Sequence, residues 1–86
     1  MCHFYILYSQ SKDKFYVGHT CDSIEERIRK HNSNHQGFTG KTGDWMLVYK
    51  EEYLTKSEAY KRELKVKSWK SRKRIVQLVQ SIPPDL

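Results

Sequence analysis

The sequence predicts a small α+β domain, in which a three-stranded antiparallel sheet is flanked by three helices in the order β-β-α-β-α-α. Two runs of aromatic and β-branched residues surround a short polar loop near the start of the chain, which is typical of a hairpin. Two later segments begin with capping signals and then repeat apolar residues at helical spacing. Because 86 residues leave room for one modest core, we expect one domain over residues 1–82 and a short tail over 83–86.

The hairpin is predicted over residues 3–9 and 14–19, joined by the loop QSKD. With an even loop, directly opposed positions sum to an odd number, which fixes the two faces of the sheet. One face then carries Phe4, Ile6, Tyr8, Phe15 and Val17, and the other carries Tyr5, Leu7, Tyr16 and Gly18. The tyrosines at 5 and 16, where valine or threonine would form a strand equally well, therefore share one side.

A first helix is predicted to begin with a capping box formed by Asp22 and Glu25, and to run to about Asn32. Its buried stripe is marked by Ile24 and Ile28, which are four residues apart.

The same helix directs two polar residues toward its packing side. At 100° per residue, Arg27 and His31 flank the apolar stripe and do not face solvent. Such placement carries a desolvation cost, which suggests a use for both side chains.

Beyond this helix, three glycines in residues 33–44 predict a mobile loop, and WMLVY at 45–49 predicts a third strand. Thr55 with Glu58 predicts the start of a second helix. The stripe of that helix is Ala59, Val66 and Trp69. Glu63 lies within about 40° of Ala59 on the helical wheel, so a carboxylate also points inward.

A third helix is predicted after Ser71, which can act as its cap. Its apolar positions are Ile75, Val76, Leu78 and Val79. Pro83 and Pro84 then end regular structure.

Positive charge is concentrated in one segment of the chain. Residues 56–74 contain nine lysines and arginines but two glutamates, so the segment carries a charge of +7 and the rest of the chain carries −1. This is the distribution expected of a phosphate-binding face, although a solvated lysine-rich helix would look the same.

The two cysteines, Cys2 and Cys21, are too few for a disulfide scaffold. Nothing resembles a secretory signal, and no apolar run is long enough to span a bilayer. We therefore expect a cytoplasmic protein with reduced thiols and no membrane partner.

Five inward polar residues remain to be explained: Tyr5, Tyr16, Arg27, His31 and Glu63. Their chemistry matches what metal-assisted phosphodiester hydrolysis requires. A carboxylate binds a hard divalent cation, and an arginine matches the charge of a phosphate. A group that accepts a proton activates the attacking water.

In these residues the chain resembles the GIY-YIG nuclease family. The likeness is greatest to its short single-domain branch, which is similar to the N-terminal nuclease domain of the bacterial excision-repair incision subunit. HFY at 3–5 lies where the family has its first motif, and YVG at 16–18 matches the second. ERIRKH supplies an arginine and, four residues later, a histidine, while SEAYKRELKVK matches the segment of the family's metal-binding glutamate.

The resemblance implies a role for each residue. Tyr16 would be the general base or would position the water, and Tyr5 would form a hydrogen bond near that water. Arg27 would stabilise charge on the scissile phosphate, and His31 would assist proton transfer or bind phosphate. Glu63 would ligate a single Mg²⁺ or Mn²⁺. Because an unperturbed phenol titrates near pH ~10, the general base stays open between Tyr16 and His31.

Three further positions bear on the resemblance. Gly18 would let the backbone turn tightly beside the site. His3 replaces the glycine of the first motif. The family often has an asparagine in its C-terminal part; no asparagine follows Asn34, and Lys67 or Lys70 could take its place.

The resemblance implies a metal-dependent endonuclease that hydrolyses phosphodiester bonds in DNA, in DNA repair or recombination. The expected nucleic-acid contacts are Lys41, Arg62, Lys67, Lys70, Arg72, Lys73 and Arg74. Strong sequence specificity is not expected, since reading base edges needs an additional element that a dimer or protein partner could supply. The alternative is a non-catalytic DNA- or RNA-binding module on a nuclease fold.

Overall fold

The computed structural model describes residues 1–33 and 43–81, and in these residues three strands and three helices follow the predicted order. The strands are β1 (Cys2–Ser9), β2 (Lys14–Thr20) and β3 (Trp45–Tyr53), and the helices are α1 (Ile24–Ser33), α2 (Lys56–Ser68) and α3 (Arg72–Gln80). The strands form one antiparallel sheet in the order β2-β1-β3, so β1 is central. The predicted α+β class and element order are confirmed.

The register of the hairpin explains which side chains share a face. Tyr5 lies opposite Gly18 and Leu7 lies opposite Tyr16, so opposed positions sum to an odd number as predicted. Phe4, Ile6 and Val17 belong to one apolar cluster, and Tyr5 and Leu7 belong to the other. The predicted division of the hairpin into two faces is confirmed.

Helices cover both faces of the sheet. Val66 of α2 and Ile75 of α3 pack with the cluster around Phe4, while Ile28 of α1 packs with the cluster around Tyr5. Helix α1 therefore lies on one face of the sheet, and α2 and α3 lie on the other.

The caps of α2 and α3 follow the sequence prediction. The Thr55 side chain accepts a hydrogen bond from the Glu58 amide, and the Glu58 carboxylate accepts one from the Thr55 amide. Ser71 caps α3 by accepting a hydrogen bond from the Arg74 amide. Two of the three predicted helix starts are thereby confirmed.

The predicted start of α1 is wrong by one residue. Ser23, and not Asp22, caps the helix, because the Glu26 amide donates to the Ser23 hydroxyl. Asp22 instead belongs to the turn before the helix, where its amide donates to the Thr20 hydroxyl.

Strand β3 is longer than predicted and contains an irregularity. It continues to Tyr53 because β1 begins at Cys2 and supplies partners over its whole length. Ile6 pairs with Tyr49 but the next residue, Leu7, pairs with Leu47, so Val48 is an extra residue in β3. Because of this bulge, the odd-numbered residues after Val48 lie on the face that carries Phe4, whereas Trp45 and Leu47 lie on the face that carries Tyr5.

The prediction of reduced thiols is wrong for this structure, because Cys2 and Cys21 form a disulfide. His3 lies opposite Thr20, so the next pair outward along the hairpin is Cys2 and Cys21, and their Cα atoms are 4.0 Å apart. The register of the hairpin thus brings the two cysteines together.

Some predictions fall on residues outside the described ranges. These are the phosphate contact at Lys41, most of the loop over 33–44, and the two prolines of the tail. Within residues 1–33 and 43–81, no helix is long and apolar enough to cross a bilayer.

Candidate active site

Four of the five predicted site residues form one cluster. Tyr5 comes from β1, Tyr16 from the adjacent edge strand, and Arg27 and His31 from successive turns of α1. The Tyr5 hydroxyl lies 3.3 Å from His31 Nε2, and the nearby Arg27 guanidinium acts to lower the pKa of the same hydroxyl. The rings of Tyr16 and His31 are 4.5 Å apart between centroids. Strand pairing and the four-residue spacing on the helix together bring these groups into contact.

Gly18 provides the space for this cluster. A Cβ atom at position 18 would lie 2.8 Å from the Tyr5 hydroxyl oxygen and 3.0 Å from the Tyr16 ring. The expected tight turn is not found, since Gly18 lies within β2 opposite Tyr5. The glycine is needed because any side chain there would collide with the two tyrosines.

Burial sets the protonation of the cluster. Burial raises the pKa of Tyr5 and outweighs the opposing hydrogen bond from Arg27. Burial and then the charge of Arg27 lower the pKa of His31 below its usual 6.5. At neutral pH, Tyr5 is therefore a neutral phenol and His31 a neutral imidazole that can accept a proton.

Arg27 has capacity for an acidic ligand. Its Nε atom is buried and has no hydrogen-bond partner among the described residues. Its side chain also lines a pocket of about 390 Å³ at the edge of the sheet, together with Lys56. A buried donor without a partner is costly, and a phosphate oxygen would satisfy it.

Glu63 has hydrogen-bond partners of its own. Its side chain is buried as predicted, and the residue is 8% exposed. Nδ1 of His19 lies 2.5 Å from Oε1, and Nζ of Lys67 lies 2.7 Å from Oε2. Glu63 belongs to the α2 face of the sheet and the cluster to the α1 face, and the charge of Glu63 contributes less than burial and Arg27 to the pKa of Tyr5.

His19 is a site residue that the sequence argument missed. It follows the second motif and lies opposite Phe4, which directs it to the face of the sheet that α2 covers. The predicted hairpin register contained this information, because the face of Phe4 was already assigned.

The carboxylate of Glu63 fits a site for one hard cation. No three His, Cys, Asp or Glu side chains of residues 1–33 and 43–81 are arranged to hold a metal ion. Mg²⁺ does not need such a cage, because it keeps several waters and binds through one or two carboxylates and substrate phosphates. In such a site Glu63 would be the carboxylate, and Arg27 would be the residue that binds the phosphate.

The predicted phosphate-binding residues divide into two groups. Arg62 is used inside the protein, where Nε and Nη2 donate to Glu51 at 3.0 and 3.2 Å. Lys70, Lys73 and Arg74 lie on the exposed side of the α2–α3 region. Arg74 stacks on the ring of Trp69, which fixes one of these charges in place.

A further member of the predicted set, Arg72, binds the loop of the hairpin. Its guanidinium donates to the carbonyl and carboxylate of Asp13, both at 2.6 Å, and lies over the ring of Phe15. This pair is exposed to solvent.

Comparisons with known proteins agree with the geometry. The family described as the GIY-YIG catalytic domain matches residues 1–75. A UPF0213 protein of Staphylococcus saprophyticus is 43% identical over 74 residues, which cover 83% of this chain and 88% of the relative. A UPF0213 protein of Staphylococcus aureus is 37% identical over 75 residues, covering 85% of this chain and 89% of the relative.

A solved structure gives the same result. The solution NMR structure of the UPF0213 protein BH0048 from Bacillus halodurans superposes with a TM-score of 0.57 at 34% sequence identity. The match covers 92% of this chain and 83% of that one. With its fold, its two tyrosines on neighbouring strands and the Arg27–His31 pair, the chain belongs to the GIY-YIG catalytic domain family.

Proposed function

We propose that this chain is a divalent-metal-dependent endonuclease that hydrolyses phosphodiester bonds in DNA, with a role in repair or recombination. The observation that carries the proposal is the cluster of Tyr5, Tyr16, Arg27 and His31, together with the buried carboxylate of Glu63. Membership of the GIY-YIG family and the basic α2–α3 region support it.

Arg27 binds the scissile phosphate in this proposal. Its buried Nε donor lacks a partner among the described residues, and its charge matches the extra negative charge that develops in the transition state. Tyr5 is fully buried, so we assign it a positioning role: its hydroxyl lies 3.3 Å from His31 Nε2 and interacts with the charge of Arg27.

Proton transfer falls to His31, with Tyr16 orienting the water. The lowered pKa of His31 keeps its imidazole neutral at pH 7, which is the form that accepts a proton. Tyr16 packs against this ring and is partly exposed, so its hydroxyl can reach a substrate water.

Glu63 would hold a single Mg²⁺ or Mn²⁺. When bound, the cation would polarise the phosphate and stabilise the leaving oxygen. His19 positions the carboxylate through its hydrogen bond to Oε1, so one oxygen keeps its orientation while the other faces Lys67.

DNA would be held by the exposed cations of the α2–α3 region, of which Lys70, Lys73 and Arg74 are the clearest. Contacts of this type bind the phosphate backbone and carry no sequence information. The proposed substrate is therefore recognised by its backbone and shape.

The test is the cleavage of supercoiled plasmid in Mg²⁺ or Mn²⁺ by the parent, Glu63→Ala and Glu63→Gln. We expect both substitutions to lower the cleavage rate at least ~100-fold, because the carboxylate that binds the cation is lost. DNA binding, measured by fluorescence anisotropy, should survive. Glu52→Gln, which changes an exposed carboxylate on β3, is the matched control. Cleavage by Glu63→Ala at the parent rate would contradict the proposal.

A second candidate is a binding module without turnover. It is favoured by one observation: both carboxylate oxygens of Glu63 already accept hydrogen bonds within the protein. In that case Glu63 is a structural ion pair, the parent does not nick plasmid, and EDTA has no effect on DNA binding. Nicking by the parent that EDTA abolishes and Glu63→Gln lacks excludes this candidate.

A further inference from the structure

Lys67 occupies the position at which a cation would approach Glu63. Its Nζ atom lies 2.7 Å from Oε2, whereas Oε1 is taken by His19. A divalent cation and the ammonium group therefore require the same carboxylate oxygen. Two positive charges cannot share that oxygen without strong repulsion, so binding of one displaces the other.

The two partners of Glu63 differ in their freedom to move. His19 belongs to β2, its side chain is 19% exposed, and its ring packs 5.1 Å from that of Tyr60. The side chain of Lys67 is 49% exposed and ends a flexible four-carbon chain. Lys67 is consequently the partner that can move away from Glu63. Its departure makes Oε2 of Glu63 accessible to a cation.

A destination for the displaced ammonium group lies next to Glu63. Lys67 also lines a groove of about 340 Å³ between β2 and the α2–α3 region, together with Tyr16 and Lys70. Most of the described lining of this groove is apolar, and the ammonium groups of Lys67 and Lys70 are the groups that would bind a phosphate there. An ammonium group that leaves Glu63 can pair with that phosphate by rotating its side chain.

We propose that Lys67 competes with the divalent cation for Glu63, and that a DNA phosphate relieves the competition by binding the ammonium group. Cation binding and DNA binding then strengthen each other. The inference rests on the proposed metal-dependent function and adds a residue that couples its two ligands. Because coupling between two binding equilibria is reciprocal, the cation tightens DNA by the same factor by which DNA tightens the cation.

The first experiment measures Mn²⁺ binding without DNA, by the EPR signal of free Mn²⁺. Four variants are compared with the parent: Lys67→Gln, Lys67→Arg, Lys65→Gln and Glu63→Gln. Lys67→Gln removes the competing charge, so we expect Mn²⁺ to bind about tenfold more tightly. Lys67→Arg keeps the charge and should keep the parent affinity. Lys65→Gln removes an exposed charge from the same helix and should change the affinity less than about twofold.

The results separate the inference from the proposed function. If the parent and Lys67→Gln bind Mn²⁺ equally while Glu63→Gln loses binding, Glu63 is a metal ligand and the competition is refuted. If neither the parent nor Lys67→Gln binds Mn²⁺ more tightly than Glu63→Gln, both the metal assignment and the inference are wrong. Weaker binding by Lys67→Gln would also overturn the inference.

The second experiment uses the parent protein and needs no Lys67 variant. In a ¹H–¹⁵N NMR spectrum of the lysine ammonium groups, Mg²⁺ should shift the Lys67 signal as it saturates Glu63. A duplex with a phosphorothioate backbone should then raise the affinity of the parent protein for Mg²⁺ several-fold. The same duplex should change the Mg²⁺ affinity of Glu63→Gln much less. A Lys67 signal that does not move at saturating Mg²⁺ overturns the inference, whatever the folding of the variants.

Discussion

Glu51 and Glu63 are both largely buried carboxylates that bind a basic side chain, yet their surroundings differ. Glu51 accepts hydrogen bonds from the hydroxyls of Tyr49 and Tyr53, at 2.5 and 2.6 Å, and two more from the guanidinium of Arg62. Glu63 accepts one hydrogen bond on each oxygen, and one of its two donors is a half-exposed lysine.

The donors of Glu51 are held in place by the core. Arg62 lies over the rings of Phe4 and Trp69, and Tyr49 packs against the main apolar cluster. Burial alone would raise the pKa of Glu51, but its four donors outweigh burial and lower it. Burial, followed by the hydrogen bond to Glu51 and its charge, raises the pKa of Tyr49 to about 12, against the opposing effect of Arg62.

This difference distinguishes a carboxylate that stabilises the fold from one that can bind a ligand. All the partners of Glu51 are fixed, so no oxygen is released without breaking the core. At Glu63, one partner is fixed and the other can move. The number of donors and their freedom to move, more than burial, indicate the use of an acidic residue.

The largest effect is expected from Glu51→Gln. It leaves the Arg62 guanidinium charged, largely buried and without its carboxylate, which costs about 3–5 kcal/mol. For a chain of this size we expect Tm to fall by about 12–40 °C, measured by circular dichroism. Glu63→Gln is the matched comparison and should lower Tm much less, since Lys67 can turn to water. An equal loss for the two variants would contradict the distinction drawn between the carboxylates.

The features that the sequence predicted depend on local periodicity. The two faces of the hairpin follow from alternation, and the inward direction of Glu63 follows from its four-residue spacing from Ala59. Both were correct because the hairpin contains no irregularity and α2 is a regular helix with the predicted cap.

The network around Glu51 could not be predicted in this way. Simple alternation from Trp45 would put Glu51 on the same face as Leu47, but the bulge at Val48 reverses the sides. The position of a bulge depends on pairing with β1, which no property of the third strand alone reveals.

The disulfide and His19 are a different kind of omission. Extending the predicted register beyond residues 3–9 and 14–19 puts residue 2 opposite residue 21, so the pairing of Cys2 and Cys21 could have been found. The expectation of reduced thiols rests on composition alone, because two cysteines are too few for a disulfide scaffold. Geometry was the better guide here.

The second prediction is a pH dependence that arises from His31, on the face of the sheet that α1 covers. Because the pKa of His31 is lowered, the rate of cleavage should not depend on pH near pH 7. Below the midpoint of His31 protonation, which lies under 6.5, the rate should fall about tenfold per pH unit. The reason is that a protonated imidazole cannot accept a proton. Single-turnover cleavage between pH 5 and 8 measures the profile.

Stability also changes in this range, because the lowered pKa of His31 makes the fold less stable as pH falls below the unfolded value of 6.5, whereas the contribution of Glu51 persists to lower pH. The carboxyl pKa of Glu51 is depressed, so its contribution to stability is present above the unfolded value near 4.5 and is lost only as pH falls through the lower folded value. Circular dichroism at each pH is the control. If His31→Gln keeps the acid limb of the parent profile, the proton acceptor is another group, and Tyr16→Phe is the next variant to test.

The third prediction concerns Gly18→Ala, which disturbs the tyrosine cluster and leaves the Glu51 network unchanged. The added Cβ would lie 2.8 Å from the Tyr5 hydroxyl, and the buried ring has little room to move. We expect a loss of about 1–2 kcal/mol in the free energy of unfolding, with a larger relative loss of cleavage. Tyr5→Leu removes both the hydroxyl oxygen at 2.8 Å and Cζ at 2.9 Å, so Gly18→Ala should cost less in that background than in the parent, measured by urea unfolding. If the substitution at Tyr5 does not reduce the cost of Gly18→Ala, the strain arises from a contact other than the one with Tyr5.

The smallest effect is expected at a third carboxylate, the exposed Asp13, whose partners are Arg72 and the Tyr8 hydroxyl. Asp13→Asn is well matched, because the residue has φ of 52° and asparagine tolerates this left-handed backbone conformation as aspartate does. Exposed ion pairs contribute little to stability, so Tm should hardly change.

The same substitution releases Arg72 and removes a negative charge beside the basic α2–α3 region. DNA should then bind a few-fold more tightly at low salt, and the slope of log K against log[salt] should steepen by about 0.9 if Arg72 gains one phosphate contact. Anisotropy titrations at several salt concentrations measure both quantities, with Asp13→Asn/Arg72→Ala as the control that cannot gain the contact. A large fall in the Tm of Asp13→Asn would mean that exposed and buried carboxylates stabilise this fold alike. The mobility of their partners would then not explain the difference between Glu51 and Glu63.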